Sequence, residues 1–126
     1  MERKLRVLLV DDSLMLVEIT RAFLRQQGFD VRAATTIAEF ERILGDWQPQ
    51  VVLTDVRMPE TSGADLCRLL KTRVNRLVPV LLFSSLPEVE LARLAGQCGA
   101  DGFVSKVHGL GGLQRQLEEV CESILW

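Results

Sequence analysis

Histidine, cysteine and net charge are all scarce in this chain, and each shortage closes off a class of function. One histidine, His108, serves the whole sequence. A thiolate–histidine metal site, or a nucleophile activated by imidazole, would have to be built on it. It lies in the glycine-rich stretch His108-Gly109-Leu110-Gly111-Gly112 with no cysteine beside it, and it reads as a solvated loop residue. The three cysteines, Cys67, Cys98 and Cys121, are odd in number and widely spaced, so no disulfide frame is expected and they read as ordinary half-buried residues. A formal net charge of -2 leaves no electrostatic footprint for nucleic acid or an anionic membrane. Long apolar runs are missing too. Behind the basic Met1-Glu2-Arg3-Lys4, the run from Leu5 to Val10 is too short for a signal peptide and far too short to span a bilayer. The expectation is a cytoplasmic protein with no membrane or direct DNA contact, free of repeats and linkers.

What the chain does have is 48% hydrophobic and 25% charged residues over 126 positions, enough for one domain spanning residues 1–126 that buries about two thirds of its unfolded surface. Its organising stretch is Val51-Val52-Leu53-Thr54-Asp55-Val56-Arg57-Met58-Pro59. An apolar run bounded by Pro49 and Pro59 reads as a buried parallel strand that delivers a single aspartate to its carboxyl end, where open α/β sheets put their ligand sites. Arg6–Val10 is a second such run, ending in Asp11-Asp12. Leu14 to Gln27 repeats apolar residues at helical spacing, with Leu14, Val17, Ile19 and Leu24 among them and Gly28 as the stop. A strand is expected over Phe29–Ala34, then a helix capped by Thr35 or Thr36 and ended at Gly45. After the central strand come a helix from Ala64 to about Val74, a strand over Val78–Phe83, a helix over Pro87–Gln97 and a strand over Gly102–Ser105. A last helix runs from Leu110 or Leu113 to Ile124. Five strands alternating with five helices predict a doubly wound, flavodoxin-like α/β fold.

In such a sheet the residues just after each strand share one rim. The first strand brings Asp11 and Asp12 there, the third Asp55, the fourth Ser84 and the fifth Lys106. Singly, each has a bland reading as a helix cap, a turn residue or a surface charge. Together they form a chemical set. Three close carboxylates repel one another unless a cation sits among them, and Mg²⁺ suits one or two acids with an open position. A lysine and a hydroxyl facing that metal are what a transferring phosphoryl group requires, because its oxygens must be neutralised and oriented. Asp55 would then be the acceptor.

These residues give the chain a specific likeness. Leu9-Val10-Asp11-Asp12-Ser13, Asp55-Val56-Arg57-Met58-Pro59 with Gly63 beyond, Phe83-Ser84-Ser85, and Gly99-Ala100-Asp101-Gly102-Phe103-Val104-Ser105-Lys106 resemble the receiver domain of bacterial two-component response regulators. The resemblance implies that Asp55 accepts a phosphoryl group from a sensor histidine kinase or a histidine phosphotransfer protein. Mg²⁺ would be held by Asp12, Asp55 and the Arg57 backbone carbonyl, with Asp11 acting through water. Ser84 and Lys106 would meet the phosphoryl oxygens, and Phe103 would be the aromatic that turns inward with Ser84. Such a domain is no enzyme beyond its own phosphorylation and dephosphorylation. Its signal leaves by contact with a downstream protein, or through an output domain on a longer chain.

Three positions depart from the family pattern. Thr61 stands where methionine is common, without expected consequence. Phe103 lacks the hydroxyl of a tyrosine. Val107 replaces the proline after the lysine, and since a cis bond before valine costs about 2.5–4 kcal/mol, a trans bond and a delayed final helix are expected. The alternative is a degenerate receiver acting as a phosphorylation-independent interaction module. A dehalogenase-type phosphatase would want its nucleophile after the first strand with an acid two positions on, and a flavin protein a phosphate cradle where Asp11-Asp12 stand.

Overall fold

The computed structural model describes residues 5–57, 61, 63–74 and 77–125. Its strands are β1 (Arg6–Val10), β2 (Asp30–Ala34), β3 (Val51–Thr54), β4 (Val80–Ser84) and β5 (Gly102–Ser105), and its helices α1 (Leu14–Gln26), α2 (Ile37–Trp47), α3 (Gly63–Arg73), α4 (Glu88–Cys98) and α5 (Gly109–Leu125). All strand pairs are parallel, in the order β2-β1-β3-β4-β5. Met58 and Pro59, which end the apolar run in the sequence, and Ser62 lie outside the described residues.

Strand side chains alternate between two apolar layers. Leu8, Val10, Val52 and Leu82 meet Phe40 and Ile43 of α2, Leu70 of α3, and Leu91 and Ala95 of α4. Val7, Leu9, Val31, Leu53, Leu81 and Phe83 meet Val17 and Leu24 of α1 and Leu113 and Leu117 of α5. The inner strands β1, β3 and β4 are therefore buried on both faces, which is why they read as continuous apolar runs, while β2 at the edge exposes Asp30 and Arg32.

Several expected boundaries move. Gly45 does not stop α2, which runs on to Trp47 and ends where Gln48 takes a left-handed conformation at φ 56; a glycine inside a helix costs only about 1 kcal/mol against alanine, less than the packing of Leu44 and Trp47 supports. Ser84 belongs to β4 and is fully buried. In α1, Leu14 and Ile19 are 67% and 52% exposed. Ile19 lies two residues from buried Val17, about 200° around the helix, and Leu14 stands in the first turn, beyond the strand ends. Cys98 is 3% exposed and disulfide-bonded, contrary to its reading as an ordinary half-buried residue, because distance along the sequence does not measure distance in the fold.

The largest change follows Lys106. The Lys106–Val107 bond is trans, yet the final helix is not delayed. A 3-10 turn over Lys106–His108, capped where the Ser105 hydroxyl accepts the Val107 N–H at 3.2 Å, leads straight into α5 through Gly109 at φ 66. Glycine adopts that positive φ without penalty, so Gly109 redirects the chain where a loop was expected.

Candidate functional site

Strand order reverses between β1 and β3: from β1 the chain turns to β2 on one side, and β3 lies on the other. Crevices in open α/β sheets form at that switch point, outside the carboxyl ends of the strands. Asp11 follows β1 and Asp55 follows β3. Each extends its strand's ladder by one bond, Asp11 N–H to the Ala34 carbonyl at 3.1 Å and Asp55 N–H to the Val10 carbonyl at 2.9 Å.

The same local device then aims both carboxylates. Asp11 Oδ1 accepts the Ser13 N–H at 3.0 Å, and Asp55 Oδ1 accepts the Arg57 N–H at 3.1 Å. These are aspartate turns closing on the backbone two residues ahead. They leave Oδ2 of each residue facing the crevice, where the Lys106 ammonium bridges them at 2.8 Å to Asp11 and 2.7 Å to Asp55. Asp12, exposed, completes a group in which one oxygen from each carboxylate lies within 4.8 Å of the others.

Burial makes these charges matter. Burial pushes the Asp11 carboxyl above its ordinary value, and the hydrogen bond from Lys106 offsets this only in part. Burial pulls the Lys106 ammonium down, but its hydrogen bonds to Asp11 and Asp55 outweigh that and hold it above its ordinary value. The pair looks contradictory, since one shift disfavours the ion and the other favours it. The causes differ, desolvation at Asp11 and two charged hydrogen bonds at Lys106, and the site as built sets three carboxyl groups around a single ammonium. An all-oxygen donor set of that charge fits a hard divalent cation such as Mg²⁺.

The other expected residues are less direct. Ser84 stands at the end of β4, but its hydroxyl accepts the Leu86 N–H at 3.2 Å, a local turn contact. Arg57 contributes its backbone N–H to Asp55, with its side chain exposed. Phe103 is half-buried against the cluster of Leu82, Leu91 and Ala95, and borders a cavity of about 260 Å³ with Glu88, His108 and Arg115. Two contributors escaped the sequence reading. The Phe83 ring lies 5.5 Å from the Lys106 ammonium, within cation–π range. Thr54 donates its hydroxyl to the Asp55 carbonyl at 2.7 Å, and a lone hydroxyl in an otherwise apolar strand was the signal available for it.

Comparison with known proteins gives a consistent assignment. A family model described as the response regulator receiver domain matches residues 7–118. The regulatory protein AtoC of Escherichia coli is 34% identical over 101 residues, covering 80% of this chain and 22% of the relative. The transcriptional regulatory protein AruR of Pseudomonas aeruginosa is 36% identical over 107 residues, covering 80% and 43%. The chain thus spans less than half the length of these curated relatives. Among solved structures, the chemotaxis response regulator CheY4 of Vibrio cholerae superposes with a TM-score of 0.83 at 23% identity, covering 94% of this chain and 99% of that one. The N-terminal domain of an uncharacterised Wolinella succinogenes protein gives 0.80 at 26%, covering 96% and 97%. Fold and family model agree, and the chain belongs to the response regulator receiver domain family of two-component signalling proteins.

Proposed function

We propose that Asp55 is the phosphoacceptor of this receiver, and that residues 1–126 act as one signalling unit in the cytoplasm. The observation that carries this reading is the Lys106 ammonium 2.7 Å from Asp55 Oδ2 within a cluster of three carboxylates. An Asp55 carboxylate oxygen attacks the phosphorus of a phosphohistidine on a sensor histidine kinase or phosphotransfer protein. The new O–P bond forms as the P–N bond breaks, and the imidazole leaves with the electron pair. Each Asp55 oxygen accepts one hydrogen bond at rest, Oδ1 from Arg57 N–H and Oδ2 from Lys106, and keeps a lone pair for the attack. The second bond of Lys106, to Asp11, holds the ammonium where it can meet the incoming oxygens. Asp12, Asp55 and the Arg57 carbonyl would hold Mg²⁺, with Asp11 acting through water. Once bound, Mg²⁺ offsets charge on the acids and the phosphoryl oxygens. Phosphorylation draws the Ser84 hydroxyl from Leu86 toward the phosphoryl group, and Phe103 follows inward. The signal then passes to a downstream protein or an output domain.

The test is uptake of one phosphoryl group from acetyl phosphate, followed by intact mass. Labelling is expected with Mg²⁺, and is expected to vanish in chelator and in Asp55→Asn. Labelling that persists in either condition refutes the assignment, and none under any condition favours the degenerate receiver.

A further inference from the structure

Cys98 closes α4, is 3% exposed, and is disulfide-bonded. Of the chain's two other cysteines, the sequence puts Cys67 within α3 and Cys121 within α5, and α3 is the helix that packs along α4. Two apolar layers already cover both faces of the sheet, so this domain does not need the covalent staple that small secreted folds use. In reducing compartments disulfides are rare, and those that form are mostly transient redox reporters. A cavity of about 340 Å³ lies at Cys98, bordered by Lys71, Gly99 and Asp101, and offers a small reagent a route to a sulfur with little exposure of its own. Lys71 passes close enough that its ε-carbon would lie 3.5 Å from a Cβ on Gly99, and its positive charge favours a thiolate. Asp101, the opposing charge there, accepts the Val80 N–H through Oδ2 at 2.8 Å.

We propose that Cys98 forms a reversible disulfide tying the end of α4 to α3, and that the oxidised form holds α4 against the movement that phosphorylation of Asp55 starts. The link runs through packing: Leu91 and Ala95 of α4 share a cluster with Leu82 of β4 and with Phe103 of β5. The inference rests on the receiver reading above and on its cytoplasmic setting. The oxidant is a low-molecular-weight disulfide. One protein thiolate attacks a sulfur of the reagent and expels a thiolate, leaving a mixed disulfide. The second protein thiolate attacks the protein-bound sulfur and expels the other. Two electrons pass from the protein dithiol to the reagent, whose two leaving thiolates take up the two protons.

The full chain is equilibrated in glutathione buffers from reducing to oxidising ratios, alkylated and weighed. Amide spectra are recorded in both forms with and without beryllofluoride and Mg²⁺. All three cysteines should alkylate under reducing conditions and a single one under oxidising conditions. Oxidation should protect no cysteine in Cys98→Ser or Cys67→Ser, and two in Cys121→Ser. Beryllofluoride should shift the amides of Glu88–Cys98 in the reduced form, and those shifts should be lost on oxidation. A bond that never forms, that no glutathione ratio opens, or that survives Cys98→Ser or Cys67→Ser overturns the proposal, as do α4 shifts of equal size in both forms. If beryllofluoride moves no amide in the reduced protein, the Asp55 reading has failed and the coupling with it, while thiol titration still decides the bond.

Discussion

Replacing Lys106 with methionine keeps most of the stem beside Phe83 and removes only the ammonium. That ammonium makes two charged hydrogen bonds of 2.8 and 2.7 Å from a side chain 17% exposed, to carboxylates 3% and 8% exposed. Water screens neither contact as it would a surface ion pair. Breaking a buried pair by removing one partner costs about 3–5 kcal/mol, because a charge is left buried without compensation. The lower end applies here: Asp11, already pushed toward its neutral form by burial, can take a proton and relieve part of the strain. Lys106→Met should therefore lose about 3 kcal/mol in chelator, or roughly 10 °C in Tm for a domain of this size. Added Mg²⁺ brings positive charge back, and a ligand bound only by the folded state stabilises by about 1.4 kcal/mol for each tenfold excess over Kd. The gap between variant and parent should accordingly narrow in millimolar Mg²⁺. Urea and thermal unfolding of both proteins, in chelator and in Mg²⁺, measure it. A variant as stable as its parent in chelator, or a gap that Mg²⁺ leaves unchanged, would refute the electrostatic account.

Because the Lys106 ammonium is held above its ordinary 10.5, its contribution is whole below pH 10.5 and lost as pH climbs through the folded value; stability curves should show that alkaline loss in the parent and lack it in Lys106→Met. Asp11 works with the opposite balance, for its carboxyl is raised above 3.8, so the folded state keeps that proton longer and mild acidification should stabilise, an effect that Asp11→Asn removes. Glu39 reaches back to the Thr35 N–H at 3.0 Å and hydroxyl at 2.9 Å while Thr36 accepts the Glu39 N–H at 3.2 Å. Glu39→Ala should cost about 1 kcal/mol through this capping box, and an unchanged urea midpoint would show that the box does not stabilise α2. Thr20 is 1% exposed and its hydroxyl has no partner among the described residues, so Thr20→Val, equal in shape, should stabilise by about 1 kcal/mol, and a fall in Tm would mean that the hydroxyl is satisfied in solution.

The inner strands were legible because they are short and buried on both faces, so the runs Arg6–Val10 and Val51–Thr54 had no competing helical reading. Their aspartates were legible for a topological reason: once the sheet is parallel, every strand end reaches the same rim. What the sequence withheld is geometry at the scale of one side chain. Nothing in it says that Lys106 rests on both Asp11 and Asp55, or that the Ser84 hydroxyl is occupied by Leu86. Gly45 misled because helix packing overrode its weak propensity, and the turn after Lys106 misled because three glycines in four positions suggest a loop, whereas one, Gly109, makes the bend and the rest enter α5. The bonded state of Cys98 was illegible because cysteine spacing along the chain does not measure separation in the fold.

The central claim is that one residue, Asp55, carries the phosphoryl group, and borohydride reduction tests it most directly. An acyl phosphate on aspartate is reduced to homoserine, which peptide mass mapping assigns to a single position. After incubation with acetyl phosphate and Mg²⁺, homoserine is predicted at position 55 and nowhere else; homoserine at position 11 or 12, or none in a protein whose intact mass shows phosphate, would contradict the account.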